Sequence, residues 1–400
     1  MFKGQNQQDI KEQNRALVLK LICTEQCLSR IEISRLTGLT KMTVTNITVQ
    51  LIRDGFIKEG FPFENQGTTG RKPITLLPCN DSVYAIGVYI SRDFIKVSLL
   101  SISAEIIQTC TQVLSEGENS KSLIQKTLKG IKRIIGSIPK SKILGIGIAS
   151  IGPLDTKSGV ILSPPDFYNI KNVEIKKNIE ENTGLKVILN NDMKASSLAE
   201  KLFGKGENLQ NFIYLGITHG IGSGIVMDGK LFSGEMGYAG EVGHTTIDFN
   251  GPICSCGNRG CLEAYASIPN ILKVAKERIE GNTCTILSSM NEFTFQDIAQ
   301  HAQSDPLCCS LINDMALHIG IALVNTINTL DLSTVIIGHE GAYGGTYLAG
   351  LIEKYINEKM LFRSSKHVSV IISNFCEESP LIGSGTLVLD EFFTSGVFVK

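Results

Sequence analysis

The sequence predicts a winged helix-turn-helix head, mostly α, followed by a two-lobed α/β body. Three observations carry that expectation. Helical periodicity with paired capping residues runs through the first 55 residues and ends in a basic, glycine-rich tip. Glycine-bounded, β-prone runs take over from residue 82 and repeat in a similar order later in the chain. At 400 residues the chain is also too long for one ordinary core. The expected domains are residues 1–80 as the head, 81–200 as a first α/β lobe and 201–400 as a second, its C-terminal helix packing back on the first.

Composition narrows the class. With 42% hydrophobic and 19% charged residues and 39 glycines, the chain is globular α/β, which excludes disorder, collagen and coiled coil as its main theme. The opening MFKGQNQQDI lacks an apolar signal core, and no uninterrupted run reaches the roughly 18 apolar residues of a membrane helix. Eleven cysteines, an odd number spread along the chain, argue against a disulfide framework. A cytoplasmic protein with no membrane partner is expected. Charge is asymmetric: residues 1–78 hold 11 Lys+Arg against 7 Asp+Glu, the remainder 27 against 32. A basic head on a mildly acidic body points to an anionic partner for the head.

In the head, residues 9–26 read as an amphipathic helix with Leu17, Val18, Leu21 and Ile22 on its inner stripe. Ser29 and Glu32 form a capping-box signature for a second helix, with Ile33 and Leu36 inward and Gly38 at its C-terminal cap. Thr40 caps a third helix anchored by Val44, Ile47 and Leu51, which leaves Lys41, Met42, Thr43, Thr45 and Asn46 near its exposed start. Phe56–Lys58 and Ile74–Leu77 then flank a tip carrying Arg71 and Lys72. Helix, glycine turn, helix and basic wing suit duplex DNA: short polar side chains reach base edges while cations hold phosphates. An ordinary three-helix interaction module is the alternative reading of the same pattern.

In the body, Val83–Ile90, Ile95–Leu100 and Glu105–Val113 read as a meander, Lys121–Ile135 as a helix and Ile143–Ala149 as a buried strand. Phe212–Ile217, Gly224–Met227, helices after Leu262, Val335–Ile337 and Val368–Ile372 give the second half a similar order, suggesting two lobes about a cleft. Cys254, Cys256 and Cys261 fall within eight residues, and His244 lies ten residues upstream. Three thiolates and an imidazole are the closed tetrahedral set that zinc favours.

The run from Gly216 through Gly224, Gly234 and Gly237 to Gly240-Glu241-Val242-Gly243-His244, with CSCGNRGCLE and the segment GIASIGPLDTKSGVILSPPDFYNI…LKVILNNDMKASSLAE, resembles the ROK family of repressors, open reading frames and sugar kinases. The resemblance runs from about residue 82 nearly to the end. The head closing in GRKPITLL is similar to the family's repressor branch, of the xylose and N-acetylglucosamine repressor type. It implies an actin-like/sugar-kinase (ribonuclease H-like) body and a monosaccharide held by Asn191, Asp192, Glu241, His244 and Glu263. It further implies zinc on His244, Cys254, Cys256 and Cys261, operator DNA as partner and a homodimer or homotetramer.

Family kinases carry Asp-x-Gly-Gly-Thr on the first hairpin, where bare backbone approaches nucleotide phosphates. Here Tyr89 stands at the Asp position and Ser91-Arg92-Asp93 replaces Gly-Gly-Thr. The later glycine pair reads Gly338-His339-Glu340-Gly341, while Asp192, the family's general base, is kept as a vestige. A sugar-responsive repressor without kinase activity is therefore expected, its monosaccharide of xylose or hexose type. An active ATP-dependent sugar kinase with an accessory DNA-binding head is the alternative.

Overall fold

The computed structural model describes residues 6–25, 27–62, 74–136 and 138–395. The head comprises α1 (Gln7–Thr24), β1 (Leu28–Ser29), α2 (Arg30–Thr37), α3 (Lys41–Arg53), β2 (Ile57–Pro62) and β3 (Ile74–Pro78). Next come β4 (Tyr84–Ile90), β5 (Phe94–Ser101), β6 (Ile106–Val113), α4 (Ser120–Ile135), β7 (Ile143–Ser150), β8 (Leu154–Asp155), β9 (Val160–Ile161), α5 (Ile175–Thr183) and β10 (Val187–Asn191). The rest of the chain forms α6 (Asp192–Phe203), β11 (Phe212–Ile217), β12 (Ile221–Met227), β13 (Lys230–Phe232), α7 (Glu263–Ala266), α8 (Ile268–Glu280), α9 (Phe295–Gln300), α10 (Pro306–Leu330), β14 (Thr334–His339), α11 (Gly345–Lys359), β15 (Ser369–Ile372) and α12 (Ser379–Ser395). Two compact units result: residues up to Asp192 together with those from Leu381 onward, and Met193–Pro380.

Local signals set the head. Reciprocal capping boxes open α1 (Asn6 with Asp9) and α2 (Ser29 with Glu32), satisfying backbone N–H groups that a helix start leaves without partners. Gly38 ends α2 at φ +71°, and Thr40 caps α3 by accepting from the Thr43 amide. Val44, Ile47 and Leu51 are buried as the periodicity requires. Two expectations are corrected. The buried face of α1 is Ala16, Val18, Leu19, Ile22 and Cys23, so Leu17, on the opposite side, is exposed and Leu21 only half-buried. In α2 only Ile33 is buried, and Leu36 faces solvent. The antiparallel sheet runs β1-β3-β2, which makes residues 57–62 and 74–78 the two wing strands.

The body of the first unit is a five-stranded sheet in the order β10-β7-β4-β5-β6; β4, β5 and β6 form the meander, and β7 and β10 run parallel to β4. Its central strands are buried on both faces, with Ile86, Val88, Ile146 and Ile148 in the core. From Leu381 onward α12 lies against this sheet. A Cβ built at Gly147 would sit 1.7 Å from the Ser384 carbonyl oxygen, so only glycine permits that approach. Farther along, α12 meets the head: the Phe392 ring is 6.0 Å from that of Phe56, and Asp390 pairs with Lys20 at 3.4 Å.

In the second unit the sheet order is β13-β12-β11-β14-β15; β11, β14 and β15 run parallel and β11, β12 and β13 antiparallel. One helix among the described residues, α10, has the length and composition to cross a membrane. Its Leu311, Met315, Ile319 and Leu323, four residues apart, are buried in the core of this unit, which accounts for the apolarity.

Candidate functional site

The start of α3 presents the residues expected to face DNA. Lys41, Met42 and Asn46 are exposed, and Thr43 and Thr45 are half-buried. The two threonine hydroxyls are already engaged: that of Thr43 shares a hydrogen bond with Thr40 at 2.9 Å, and that of Thr45 donates to the Lys41 carbonyl at 2.8 Å. Arg71 and Lys72 lie outside the described residues.

His244, Cys254, Cys256 and Cys261 converge in the second unit, their ligand atoms all within 4.8 Å of one another. The His244 Nδ1 atom is 3.8 Å from the Cys254 sulfur, and the Cys256 and Cys261 sulfurs are 3.7 Å apart. A short bridge between Thr246 and Cys261 and a close turn at Gly260 bring the segments together. There φ is +70°, and an added Cβ would lie 1.6 Å from the Asp248 carbonyl oxygen. Burial pushes the Cys261 thiol up to about 12. The group can hold a metal ion.

Glu263, the first residue of α7, stands beside this cluster. Its Oε2 accepts from the Ile221 amide at 3.0 Å, and its Oε1 lies 3.4 Å from the Ser255 hydroxyl and 3.9 Å from the Cys254 sulfur. Glu241 is exposed, one turn before His244, whose amide donates to the Glu241 carbonyl. Sequence reasoning missed Lys194. This lysine is buried, donates from Nζ to the Gly237 carbonyl, and so ties α6 to the loop that carries Glu241. Burial lowers the Lys194 pKa, and the negative charge of Glu241 works against that shift. The signal for it was a cation inside the otherwise small and apolar run MKASSLA. In the first unit, Asn191 ends β10 half-buried and Asp192 is buried at the start of α6.

Bulkier side chains stand where the resemblance expects an aspartate or glycine. Tyr89 is buried, edge-on to Phe94 with ring centroids 5.6 Å apart. Arg92 at the hairpin tip is tied to the Pro165 carbonyl and lies 3.8 Å from the Asp166 carboxylate. In the second unit His339 is buried at φ +56°, ψ −147°, a region for glycine rather than histidine. A Cβ built at Gly216 would meet the Met193 sulfur at 2.2 Å and the His339 ring at 2.9 Å, so the two side chains together cover the β11 backbone there. Desolvation lowers its pKa to about 4. Next to it, the Glu340 carboxylate accepts from the Thr218 hydroxyl at 2.6 Å.

An N-terminal helical head with a wing, followed by a mixed α/β sugar-kinase-like body, defines the class. The chain belongs to the ROK family, whose profile matches residues 85–391. It is 32% identical over 391 residues to the xylose repressor of Caldicellulosiruptor bescii (96% of this chain, 97% of that protein) and 28% identical over 387 residues to the xylose repressor of Bacillus subtilis (96% of each). Among solved structures it is similar to a ROK family transcriptional regulator described as a homolog of Escherichia coli MLC protein, at TM-score 0.79 and 28% identity (97% of this chain, 98% of that one). A ROK family glucokinase from Streptomyces griseus, at TM-score 0.68 and 24% identity, covers 76% of this chain and 98% of its own, and shares the fold.

Proposed function

We infer that this protein is a sugar-responsive transcriptional repressor of the ROK family, a cytoplasmic regulator and not an enzyme. The observation that carries this is the extent of the match: the likeness to proteins named xylose repressor runs through the head as well as the body, over 96% of the chain. In this reading residues 1–80 bind operator DNA through Lys41, Met42, Thr43, Thr45 and Asn46 at the start of α3, with Arg71 and Lys72 at the wing. Residues 81–200 and 201–400 form the two lobes of the sensor, with the C-terminal helix packed back on the first, and the chain works as a homodimer or homotetramer, as palindromic half-sites require.

The effector is a monosaccharide of xylose or hexose type. Sugar hydroxyls both donate and accept, and Asn191, Asp192, Glu241, His244 and Glu263 supply carboxylates, an amide and an imidazole suited to paired hydrogen bonds. The metal is zinc. A tetrahedral ion with bonds of about 2.3 Å to sulfur and about 2.0 Å to nitrogen needs edges of about 3.8 Å between sulfurs and about 3.5 Å from sulfur to nitrogen; the Cys256–Cys261 separation of 3.7 Å and the His244 Nδ1–Cys254 separation of 3.8 Å lie close to these and support that choice. With Nδ1 on the metal side, the His244 Nε2 is left for the sugar, so the metal fixes the ring that the effector meets. Asp192 is a retained base without a phosphate cradle: Tyr89, Arg92 and His339 occupy what the family's kinases leave as glycine or carboxylate.

The test pairs two measurements on one panel of monosaccharides. A thermal-shift screen should find a sugar that raises the melting temperature, because a ligand bound only to the native state stabilises it. With the same sugar, ATP and magnesium, a coupled assay should stay at background. Turnover on the order of 1 s⁻¹, within the ordinary enzyme range, would overturn the reading in favour of a kinase.

A further inference from the structure

The edges of the two five-stranded sheets are closed in different ways. In the second unit β13 is only three residues long, and at β15 the Val370 amide donates to the Glu353 carboxylate at 2.8 Å. At one edge of the first unit's sheet, the Val187 amide of β10 donates to the Glu180 carboxylate at 2.9 Å. The other edge is β6, eight residues long (IIQTCTQV) and without a charge or a proline. Short edge strands, edge lysines and prolines keep the sheets of separate molecules from pairing, and β6 has none of them.

One hydrogen bond fixes its backbone directions. The Leu114 amide donates to the Asp93 carbonyl at 2.8 Å, and the ladder with β5 is regular from Phe94–Val113 to Leu99–Gln108. In an antiparallel pair, alternate residues turn both backbone groups to the same neighbour, so Gln108, Cys110 and Gln112 bond to β5. Thr109 and Thr111 therefore direct N–H and C=O to the open edge, where the sheet has no further strand. Val113 points the same way, its carbonyl held by Lys126 Nζ at 2.8 Å. Side chains alternate in step: Cys110 is buried, whereas Ile107, Thr109, Thr111 and Val113 are exposed, Ile107 at 52% and Val113 at 70%.

The strand is also a near palindrome about Cys110: Thr109 matches Thr111, Gln108 matches Gln112, and Ile107 matches Val113 in kind. Self-pairing about a twofold axis asks for that symmetry. With Cys110 opposite its own copy, Thr109 falls opposite the partner's Thr111 and Ile107 opposite the partner's Val113. Residues with outward backbone groups then meet residues of the same kind, as hydrogen-bonded pairs require. Threonine on threonine and isoleucine on valine are stabilising cross-strand pairs, and an uncharged strand brings no like charges together. Deepening the homo-oligomer of the proposed function, and resting on that reading for the occupant, we propose that β6 pairs antiparallel with β6 of a second copy about a twofold axis at Cys110, joining two sheets into one.

The experiment is analytical sedimentation of the full-length protein over a dilution series. Thr111→Pro removes one outward N–H per chain, hence two hydrogen bonds per pair by symmetry, and leaves the bonds to β5 in place. The dissociation constant should rise roughly 5- to 150-fold. Charge tests the register. In Thr109→Lys/Thr111→Lys each lysine faces a lysine, and the assembly should split to half its mass. In Thr109→Lys/Thr111→Glu each lysine faces a glutamate, and the wild-type mass should be kept. Both threonines are exposed, and an unchanged circular dichroism signal at 25 °C shows that every variant is folded. An assembled wild type whose mass none of the variants alters, or two charge variants that behave alike, would overturn the edge pairing and leave the repressor function standing. A wild type that binds operator yet stays monomeric throughout would overturn the pairing together with the homo-oligomer.

Discussion

Replacing His339 with glycine gives a variant whose stability responds to pH differently from that of the native protein. In the folded chain the imidazole is buried and held neutral down to about pH 4, whereas in the unfolded chain it takes up a proton near 6.5. Its contribution is therefore flat above pH 6.5, falls as pH drops from 6.5 to about 4, and is flat again below, because only in that window does the unfolded state hold the extra proton. At 1.36 kcal/mol per unit of pKa, the loss across the window is about 3 kcal/mol. Glycine abolishes that dependence. It also relieves a backbone conformation costing of order 1–3 kcal/mol for a side-chain-bearing residue and gives up the packing of the ring on Gly216; both are constant offsets. Urea unfolding followed by circular dichroism at pH 7, 6, 5 and 4 measures both proteins. The variant should gain about 3 kcal/mol on the native protein between pH 7 and pH 4. A difference that stays constant over that range would refute the buried, neutral imidazole.

Zinc should be found at one ion per chain by elemental analysis of protein purified without added metal. Cys256→Ser should lose the ion together with the sugar-induced thermal shift, and a metal-free variant that kept its shift would separate the metal from the effector site. Asp192→Asn or Glu241→Gln should bind operator with native affinity yet fail to respond to sugar, checked by fluorescence anisotropy with labelled duplex. Loss of DNA binding in either variant would mean that these carboxylates act on folding and not on the effector.

What the sequence made legible was mostly local. Ser29 with Glu32, and Thr40 before Val44, announce helix starts through contacts three residues apart, and the structure realises both. The Cys254, Cys256 and Cys261 spacing brought the ligand set together for the same reason, with only His244 at any distance. The failures came where burial depends on distant partners. Leu17 and Val18 are equally apolar, and only the packing around α1 decides that Val18 turns inward. Nothing near Glu263 tells that its carboxylate takes the Ile221 amide, 42 residues earlier. Residues 192–200 are all buried, a burial that helical periodicity cannot express because it assumes one wet face, and so the role of Lys194 stayed hidden. The left-handed backbone at His339 was equally invisible, although the resemblance to a family with glycine there marked the site.

Sugar and operator must be linked if the chain is a sugar-responsive repressor, and a single titration measures that linkage. Operator duplex is titrated with the full-length protein at fixed salt, with and without a saturating concentration of the monosaccharide found by thermal shift. Sugar should weaken operator binding by roughly 5- to 150-fold, the range of a coupling of about 1–3 kcal/mol, and operator should weaken sugar binding by the same factor. Operator affinity unchanged by a sugar that demonstrably binds would contradict the central claim, leaving a DNA-binding head and a sugar-binding body in one chain with nothing passing between them.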